Sequence, residues 1–308
     1  MPRGKCIKCS SKAFVYLRYA NARFCKEHFI EFFTRRVKRT IEKFGMIREG
    51  EKVLVAVSGG KDSVSLLHVL NDLKKEMKFE LLGTTIDLGI RNFSENSLEY
   101  AIKNFEELNI DYKVISLSKE YNFTLDEAVE KIRYRKPCSI CGVIKRYLLN
   151  KVAIEEKANK LATGHHLDDM ARFILAEFIS GNAESLARLY PSIPEKRGMA
   201  SRIKPLAFTP ERDCLTYAKA KELSFTSMLC PYKKRLPNAE IVSFLDAMEK
   251  KHAGKKIAFV KGFFKSISPA LRSYHKIKEF ELKKCKVCGM PSSFDICGFC
   301  NIAKKVKG

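Results

Sequence analysis

The sequence predicts an α/β fold built on a doubly wound parallel sheet, with a small metal-binding module at each end. Three observations predict it. Residues 53–57 form a short apolar run rich in β-branched side chains, which is typical of a strand covered on both faces. Strand-like and helix-like segments then alternate along the chain, as they do around parallel sheets. Pairs of potential metal ligands lie near both termini.

These patterns divide the chain into four parts. Residues 1–30 would form the N-terminal metal-binding module, and residues 31–48 a basic linking helix. Residues 49–272 would form the main α/β domain, and residues 273–308 a C-terminal metal-binding ribbon. Phenylalanines recur near helical spacing over residues 27–44, so we expect a helix docked there on the main domain.

The composition indicates a soluble globular protein with an anionic partner. The 308 residues are 45% hydrophobic and 30% charged, and no apolar run has the length of a membrane span, so we expect a cytoplasmic protein. The net charge is +23, and residues 1–48 hold 13 Lys and Arg against 3 acids. Such an excess favours nucleic acid as the partner. Candidate contacts on the linking helix are Arg35, Arg36, Lys38 and Arg39.

A glycine turn joins the first predicted strand to a helix. Residues 58–60 are Ser-Gly-Gly, and residues 61–63 are Lys-Asp-Ser. Glycine lets the backbone approach a ligand closely, and free N–H groups at a helix start attract phosphate. The spacing of a Walker A loop is missing, so this would be a phosphate site of another kind. Asp62 and Ser63 are also candidates to cap the helix.

Polar residues follow two further predicted strands, at the edge of the sheet where ligands bind in such folds. Asp87 follows the strand predicted at residues 79–86, where it could face a ligand or cap a turn. A second group follows the strand predicted at residues 160–163: Gly164, His165, His166, Asp168 and Asp169. Its two acids could hold Mg²⁺ or cap the next helix.

Seven of the 11 cysteines, together with one histidine, fall into two terminal groups of potential metal ligands. The groups are Cys6, Cys9, Cys25 and His28, and then Cys285, Cys288, Cys297 and Cys300. Ligand pairs separated by two residues suit tetrahedral zinc. Both sites are closed, so we expect structural zinc in each.

Three further cysteines lie within the main domain. Cys138 and Cys141 open a predicted helix after Pro137, where thiols have lowered pKa values. Cys230 ends a short strand predicted from Phe225. On their own, Cys138 and Cys141 fit a redox pair, half a zinc site or part of an iron–sulfur site.

Three segments carry simpler predictions. Residues 191–205, which include Lys196, Arg197, Arg202 and Lys204, would form a mobile basic loop at the mouth of the site. Cys214 would be a small buried core residue. Residues 238–272 would be helical and packed on the sheet.

The order of these motifs resembles one known family. Ser-Gly-Gly-Lys-Asp-Ser resembles the phosphate loop of the PP-loop ATP pyrophosphatases. With Ile-Asp-Leu-Gly-Ile at 86–90, Cys-Ser-Ile-Cys-Gly at 138–142, Gly-His-His-Leu-Asp-Asp at 164–169, Cys230 and the terminal groups, the chain resembles the TtuA-type tRNA 2-thiouridine synthetases. These are relatives of TtcA and of the eukaryotic cytoplasmic wobble-uridine thiolases. His166 departs from the Asn that members often carry.

The resemblance implies a Rossmann-like PP-loop domain, two zinc ions, ATP with Mg²⁺ and a [4Fe–4S] cluster held by three cysteines. The cluster ligands would be Cys138, Cys141 and Cys230, which with Asp62 would carry the chemistry. The nucleotide would contact Ala56, Ser58, Gly59, Gly60, Lys61, Asp62, Ser63, Ile86, Asp87, Lys145, Gly164, Asp168 and Asp169.

The implied activity is 2-thiolation of tRNA, without net redox. ATP would adenylate O2 of a uridine at position 34 or 54, and sulfur would then reach C2 by way of the cluster. The sulfur donor would be a ubiquitin-like thiocarboxylate protein or inorganic sulfide, and the enzyme would be a homodimer.

Three alternatives stay open on the sequence. The thiolase could use a persulfide and a disulfide of the central cysteines without a cluster. The chain could be another PP-loop adenylase, such as a lysidine synthetase or an amidotransferase, but three cysteines would then have no role. It could also be a non-enzymatic RNA-binding module with two zinc ions.

Overall fold

The computed structural model describes residues 4–195, 199–232, 238–274 and 283–308 of the chain. No helix in these ranges combines the length and the apolar character needed to cross a bilayer.

The N-terminal part is a hairpin followed by a long helix. Strands β1 (Val15–Leu17) and β2 (Ala22–Phe24) pair antiparallel, and α1 spans Lys26–Lys43. The buried side chains of α1 are Phe29, Phe33, Val37, Thr40 and Ile41. The Phe33 ring stacks on Tyr217 of the main domain with ring centroids 4.1 Å apart. The predicted docking of this helix is confirmed.

A six-stranded sheet forms the centre of the main domain. Its strands are β3 (Lys52–Ala56), β4 (Glu80–Asp87), β5 (Tyr112–Ser116), β6 (Lys160–Ala162), β7 (Ser192–Ile193) and β8 (Ser201–Ile203). They lie in the order β5-β4-β3-β6-β8-β7, with all neighbours parallel except the antiparallel edge pair β7 and β8. The strand order reverses between β3 and β6, and ligands bind at such switch points in doubly wound sheets.

Helices cover both faces of the sheet, so the predicted doubly wound fold is confirmed. They are α2 (Lys61–Met77), α3 (Ser94–Glu107), α4 (Leu117–Tyr121), α5 (Leu125–Lys131), α6 (Pro137–Glu155), α7 (Leu167–Ile179), α8 (Ala183–Arg188), α9 (Glu211–Ala220), α10 (Ala239–Lys251), α11 (Lys255–Gly262) and α12 (Ser268–Tyr274). Buried residues of α1, α2 and α9 share one apolar core, and those of α5 and α6 share another on the opposite face. Cys214 lies fully buried in the first core, as predicted.

The C-terminal part contains β9 (Lys283–Lys284), β10 (Pro291–Ser292) and α13 (Gly298–Lys307). It packs on the side of the sheet that α6 covers. The Phe299 ring lies parallel to that of Tyr147 on α6, with centroids 3.9 Å apart. This module therefore supports the helix that begins with Cys138 and Cys141.

Two local predictions were wrong. Residues 191–205 are not a loop throughout, because β7 and β8 join the sheet there; Lys196 and Arg197 lie outside the described residues. The strand predicted from Phe225 is reduced to one bridge between Thr226 and Gly60. Pro231 has no N–H to continue a ladder beyond Cys230. The domain boundaries at residues 30, 48 and 272 stay a prediction.

Candidate functional site

The turn after β3 is held by its own serines. The Ser63 hydroxyl accepts a hydrogen bond from the Ser58 N–H at 3.0 Å and donates one to the Gly60 carbonyl at 2.9 Å. No side chain caps the start of α2, so its first N–H groups stay available to an anion. The prediction that Asp62 and Ser63 cap this helix was wrong, because Ser63 bonds within the turn instead.

Gly59 is required by both conformation and space. Its φ is +72°, and a Cβ there would lie 2.3 Å from the Ser97 carbonyl oxygen. Gly60 has φ −80°, and its nearest contact would be the Ser58 Oγ at 3.8 Å. We expect Gly59→Ala to weaken ATP binding at least about tenfold, since a left-handed alanine and a backbone clash must displace the loop.

Gly60→Ala is the matched control for Gly59→Ala. We expect it to fold normally and to bind ATP within about threefold of the wild type, since an added methyl group meets ordinary space. Calorimetric titration with ATP and Mg²⁺ measures both variants. Equal ATP affinity for Gly59→Ala and the wild type would contradict the assignment of this turn as the phosphate loop.

Asp62 carries an unused oxygen. Its Oδ1 is buried and has no hydrogen-bond partner in the described part of the chain, while Oδ2 lies 3.0 Å from the Lys61 Nζ. Burial raises the pKa of this carboxyl, against the opposing effect of His166 and Lys61. Ligand atoms of Asp62, His166 and Glu211 lie within 4.8 Å of one another. A buried carboxylate oxygen without a partner fits a bound cation such as Mg²⁺.

The His166 ring lies beside the carboxylates of Asp62 and Asp169. Its Nδ1 accepts from the Asp169 N–H at 3.4 Å, and the Asp169 Oδ2 accepts from the His166 N–H at 3.3 Å. A neutral ring that accepts at Nδ1 carries its proton on Nε2. That Nε2 lies 3.8 Å from the Asp62 Oδ2 and 3.5 Å from the Asp169 Oδ2. The ring therefore lies close to both acids, at or beyond the limit of a direct hydrogen bond.

The two acids of the β6 turn face different partners. Asp169 contacts His166 and the Arg172 guanidinium at 3.1 Å. Asp168 accepts from the Lys256 Nζ and from the Glu211 N–H, each at 2.7 Å. Asp168 thus fixes the start of α9, and its predicted nucleotide contact stays a prediction. Gly164 packs so closely that a Cβ would lie 3.1 Å from the Ser63 backbone, which joins this turn to the phosphate loop.

The end of β4 is ordered by hydrogen bonds of its own. The Asp87 Oδ1 accepts from the Gly89 N–H at 2.8 Å, and Oδ2 accepts from the Ser116 hydroxyl at 3.0 Å. Asp87 therefore holds a turn at the carboxyl edge of the sheet. Ala56 and Ile86 are partly buried against the core on the α6 face. Contact of these three residues with a nucleotide stays a prediction.

Cys138 and Cys141 on α6 lie near the Cys230 segment, where the Cys138 Sγ is 4.0 Å from the Tyr232 carbonyl oxygen. Among the described residues, the three sulfurs do not gather within 4.8 Å of one another as the terminal ligands do. Cys138 and Cys141 lie in the first turn of α6, and Cys141 and Cys230 pack against the same core. Burial raises the pKa of the Cys141 thiol, while Lys145 in the next turn acts in the opposite direction. The lowered pKa predicted for a cysteine at this helix start is wrong for Cys141. Metal coordination would still deprotonate it.

A hydrogen bond connects the Cys230 segment to the phosphate loop. The Thr226 N–H donates to the Gly59 carbonyl at 2.9 Å. Four residues of extended chain span at most about 14 Å, which limits the distance from this hydrogen bond to Cys230. Cys230 therefore lies within reach of the loop, and a single site that includes both stays a prediction. Sequence reasoning did not find this connection, nor Glu211, whose carboxylate lies 2.7 Å from the Lys61 Nζ.

The terminal ligand groups have the geometry of closed metal sites. The ligand atoms of Cys6, Cys9, Cys25 and His28 lie within 4.8 Å of one another, as do those of Cys285, Cys288, Cys297 and Cys300. The Cys9 and Cys25 sulfurs are 3.7 Å apart, and the Cys288 and Cys297 sulfurs 3.8 Å. Sulfurs about 2.3 Å from a tetrahedral ion would stand about 3.8 Å apart. Both groups fit a metal ion.

Comparison with known proteins agrees with this geometry. A model of the PP-loop domain matches residues 31–228, and a model described as "2-thiouridine synthetase TtuA, N-terminal LIM domain" matches residues 5–30. The chain is 37% identical over 299 residues to "tRNA-5-methyluridine(54) 2-sulfurtransferase" of Pyrococcus horikoshii, covering 96% of this chain and 92% of that protein. This chain belongs to the PP-loop tRNA 2-sulfurtransferases.

Two further members extend the comparison. The chain is 30% identical to "tRNA 2-thiolation protein NcsA" of Haloferax volcanii, covering 98% of this chain and 99% of that protein. The structure of this chain matches "U34-tRNA thiolase NcsA from Methanococcus maripaludis with its [4Fe-4S] cluster" with a TM-score of 0.81 and 32% identity. That match covers 99% of this chain and 97% of the other. The family resemblance read from the motifs is confirmed, as is the prediction of an enzyme.

Proposed function

We propose that this chain thiolates a tRNA uridine at C2 in two steps. Uridine O2 attacks the α-phosphorus of ATP, the bond to pyrophosphate breaks, and the base is left as an O2-adenylate. Hydrosulfide then attacks C2, the C2–O2 bond breaks, and AMP leaves with that oxygen while the sulfur loses its proton to water. No atom changes oxidation state overall, so the reaction needs no external reductant.

The residues of the phosphate loop would act in the first step. The N–H groups at the start of α2 would hold the β- and γ-phosphates. Lys61 would neutralise charge that develops on pyrophosphate, because its ammonium lies at the same turn. Asp62 would bind Mg²⁺ through its unpartnered Oδ1, with His166 steadying the other oxygen. Asp169 and Lys145 would position the base and the leaving phosphate.

The three cysteines would act in the second step. A [4Fe–4S] cluster held by three cysteines leaves one iron with an open position for an exogenous sulfide. Cys138, Cys141 and Cys230 suit such a group, since thiolates are its usual ligands and these three lie on one face of the sheet. The hydrogen bond between Thr226 and Gly59 carries this proposal, because it supports a single site for activation and sulfur delivery.

The ends of the chain would bind zinc and tRNA. We infer zinc in both terminal groups, and metal analysis of the purified protein should find two zinc ions per chain; one or none would contradict it.

The outer face of α1 and α11 forms a groove lined by Arg35, Arg39, Lys43 and Lys261. Cations along such a groove attract RNA phosphates. The target base would leave its stack to reach the sheet edge.

The cellular context also belongs to the proposal. Sulfur would come from a ubiquitin-like thiocarboxylate protein or from inorganic sulfide, and the enzyme would work in the cytoplasm as a homodimer. Light scattering tests the dimer directly. An anaerobic assay with sodium sulfide as the only sulfur source tests whether a protein donor is required.

Mass spectrometry of tRNA nucleosides tests the activity. Deletion of this gene should remove 2-thiouridine or its 5-methyl derivative from tRNA, and expression of the chain should restore it. The names of the relatives divide between positions 54 and 34, so fragments covering both positions should be mapped. Unchanged thionucleosides at both positions would contradict the proposal.

A further inference from the structure

A group of cations lies beside the β6 turn, on the α6 face of the sheet. Arg202 is in β8 and Lys204 directly follows it, at the carboxyl end of the strand. Side chains two residues apart on a strand point to the same face. Ile203, between them, packs into the core beneath α2, so Arg202 and Lys204 point to the α6 face. From the sequence, both were predicted to lie in a mobile basic loop at the mouth of the site.

The two cations sit within the site rather than on its rim. Arg202 is paired in register with Leu161 of β6, and the Thr163 N–H donates to the Ile203 carbonyl at 3.1 Å. Lys204 therefore stands beside the β6 turn that carries Asp169. Since β6 separates β8 from β3, these cations lie about 10 Å from the phosphate-loop strand.

Arg146 approaches from α6. A Cβ on Gly142 would lie 3.2 Å from its Nη1, so the guanidinium lies against the residue after Cys141. Burial lowers the pKa of Arg202, and the nearby Arg146 guanidinium acts in the same direction. Two guanidinium groups thus lie near each other on the α6 face.

The described residues supply no anion for this group. No carboxylate there lies within 4.0 Å of the charged nitrogens of Arg146, Arg202 or Lys204. Asp169 is already engaged by Arg172 and His166. Lys204 donates one hydrogen bond, to the Tyr190 carbonyl at 3.3 Å, and has two hydrogens left. Burial lowers the pKa of Lys204 to about 8.

We propose that Arg202 and Lys204, with Arg146 beside them, form a phosphate-binding subsite next to the β6 turn. Partly buried cations without carboxylate partners are costly to keep, and a bound phosphate would compensate them with charge-assisted hydrogen bonds. The inference rests on the proposed function, in which two phosphates come to this place. One is the α-phosphate of ATP, which leaves as AMP, and the other is the RNA phosphodiester beside the target uridine.

The test compares two probes on the full-length protein. The double variant Arg202→Gln/Lys204→Met removes both charges and keeps unbranched side chains. Its affinity is measured for ATP with Mg²⁺ by calorimetry, and for an unmodified tRNA transcript by fluorescence anisotropy at several salt concentrations. Lys113→Gln, an exposed cation on β5, is the control for loss of charge alone.

We expect the double variant to bind one probe at least about tenfold more weakly. Loss confined to ATP assigns the subsite to the nucleotide. Loss confined to tRNA, with a salt slope smaller by roughly one unit for each lost contact, assigns it to the RNA. Loss of both supports a phosphate shared by the two substrates. Lys113→Gln should bind both like the wild type.

Other outcomes overturn the proposal and separate it from the proposed function. If the wild type binds both probes and the double variant binds them equally well, the subsite is wrong and the proposed function stands. If the wild type binds neither, the proposed function fails and the subsite fails with it. Should the double variant not fold, the single variants Arg202→Gln and Lys204→Met are measured by the same criteria.

Discussion

Replacing Asp62 by asparagine is expected to slow 2-thiouridine formation at least about a hundredfold, a loss of the size seen when one preorganised electrostatic group is removed. The Oδ1 of Asp62 is buried and has no partner in the described ranges. Asparagine keeps the shape but loses the negative charge that Mg²⁺ requires. The measurement is single-turnover thiolation of a tRNA transcript, with pyrophosphate release followed in parallel.

The pH dependence of the free energy of unfolding distinguishes a metal-binding role of Asp62 from a structural one. Burial raises the pKa of Asp62 above its value in an unfolded chain, so its ionised form destabilises the fold at neutral pH. The free energy of unfolding of the wild type should therefore rise as the pH falls through the raised pKa of Asp62. Asp62→Asn should lack that rise. The variant should not melt below the wild type. A lowered melting temperature with normal thiolation would contradict a metal-binding role.

Asp111→Asn is the matched control. Asp111 is exposed at the start of β5, and the same exchange there removes one negative charge. We expect normal thiolation and normal pyrophosphate release from it. If Asp111→Asn were as slow as Asp62→Asn, overall charge rather than the site would explain the loss.

Local patterns predicted the parts of the site that lie within one turn. The apolar run before Ser58 and the two glycines are properties of a single strand–helix unit, so they can be read from adjacent residues. The cysteine spacing likewise predicted both terminal ligand groups, because a knuckle is a local structure. Alternation of strand and helix then predicted that the turns meet at one edge.

Contacts between distant segments could not be predicted in this way. Nothing local to Asp168 indicates that Lys256 and the Glu211 N–H take its oxygens. The bond from Thr226 to Gly59 is likewise a tertiary contact. β8 was not predicted because it has only three residues. A strand so short, with an arginine at its centre, shows no hydrophobic periodicity. Burial of Cys141, set by packing around α6, reversed a pKa predicted from helix position alone.

These contacts explain how the phosphate loop and the helix that carries Cys138 and Cys141 keep their positions. The Lys256 ammonium on α11 pairs with Asp168, and Asp168 accepts a hydrogen bond from the Glu211 N–H at the start of α9. The Glu211 carboxylate in turn pairs with Lys61. On the opposite face of the sheet, Phe299 of the C-terminal module stacks on Tyr147 and so stabilises α6, the helix that contains Cys138 and Cys141. The nucleotide loop and the cysteines are therefore supported from opposite faces of one sheet.

Cys230→Ala is expected to reduce thiolation to the uncatalysed background while ATP binding stays within about threefold of the wild type. Cys230 is the proposed cluster ligand outside α6, so its loss would leave two cysteines, too few to hold a three-ligand cluster. The phosphate loop keeps its own hydrogen bonds through Ser63, which is why nucleotide binding should survive. Anaerobically purified protein is assayed for iron, labile sulfide, ATP affinity and thionucleoside formation.

Cys214→Ala supplies the matched control, since it removes a thiol that is fully buried in the core of α9. It should keep its iron and its thiolation, although it melts somewhat lower because a buried sulfur is lost. Full thiolation by Cys230→Ala would contradict a role of Cys230 in sulfur delivery. Thiolation by wild-type protein that contains no iron would favour persulfide chemistry, in which Cys138 or Cys141 carries the persulfide and Cys230 resolves it by forming a disulfide. Loss of iron and of thiolation together, with ATP binding intact, would place Cys230 at the sulfur-delivering half of the site.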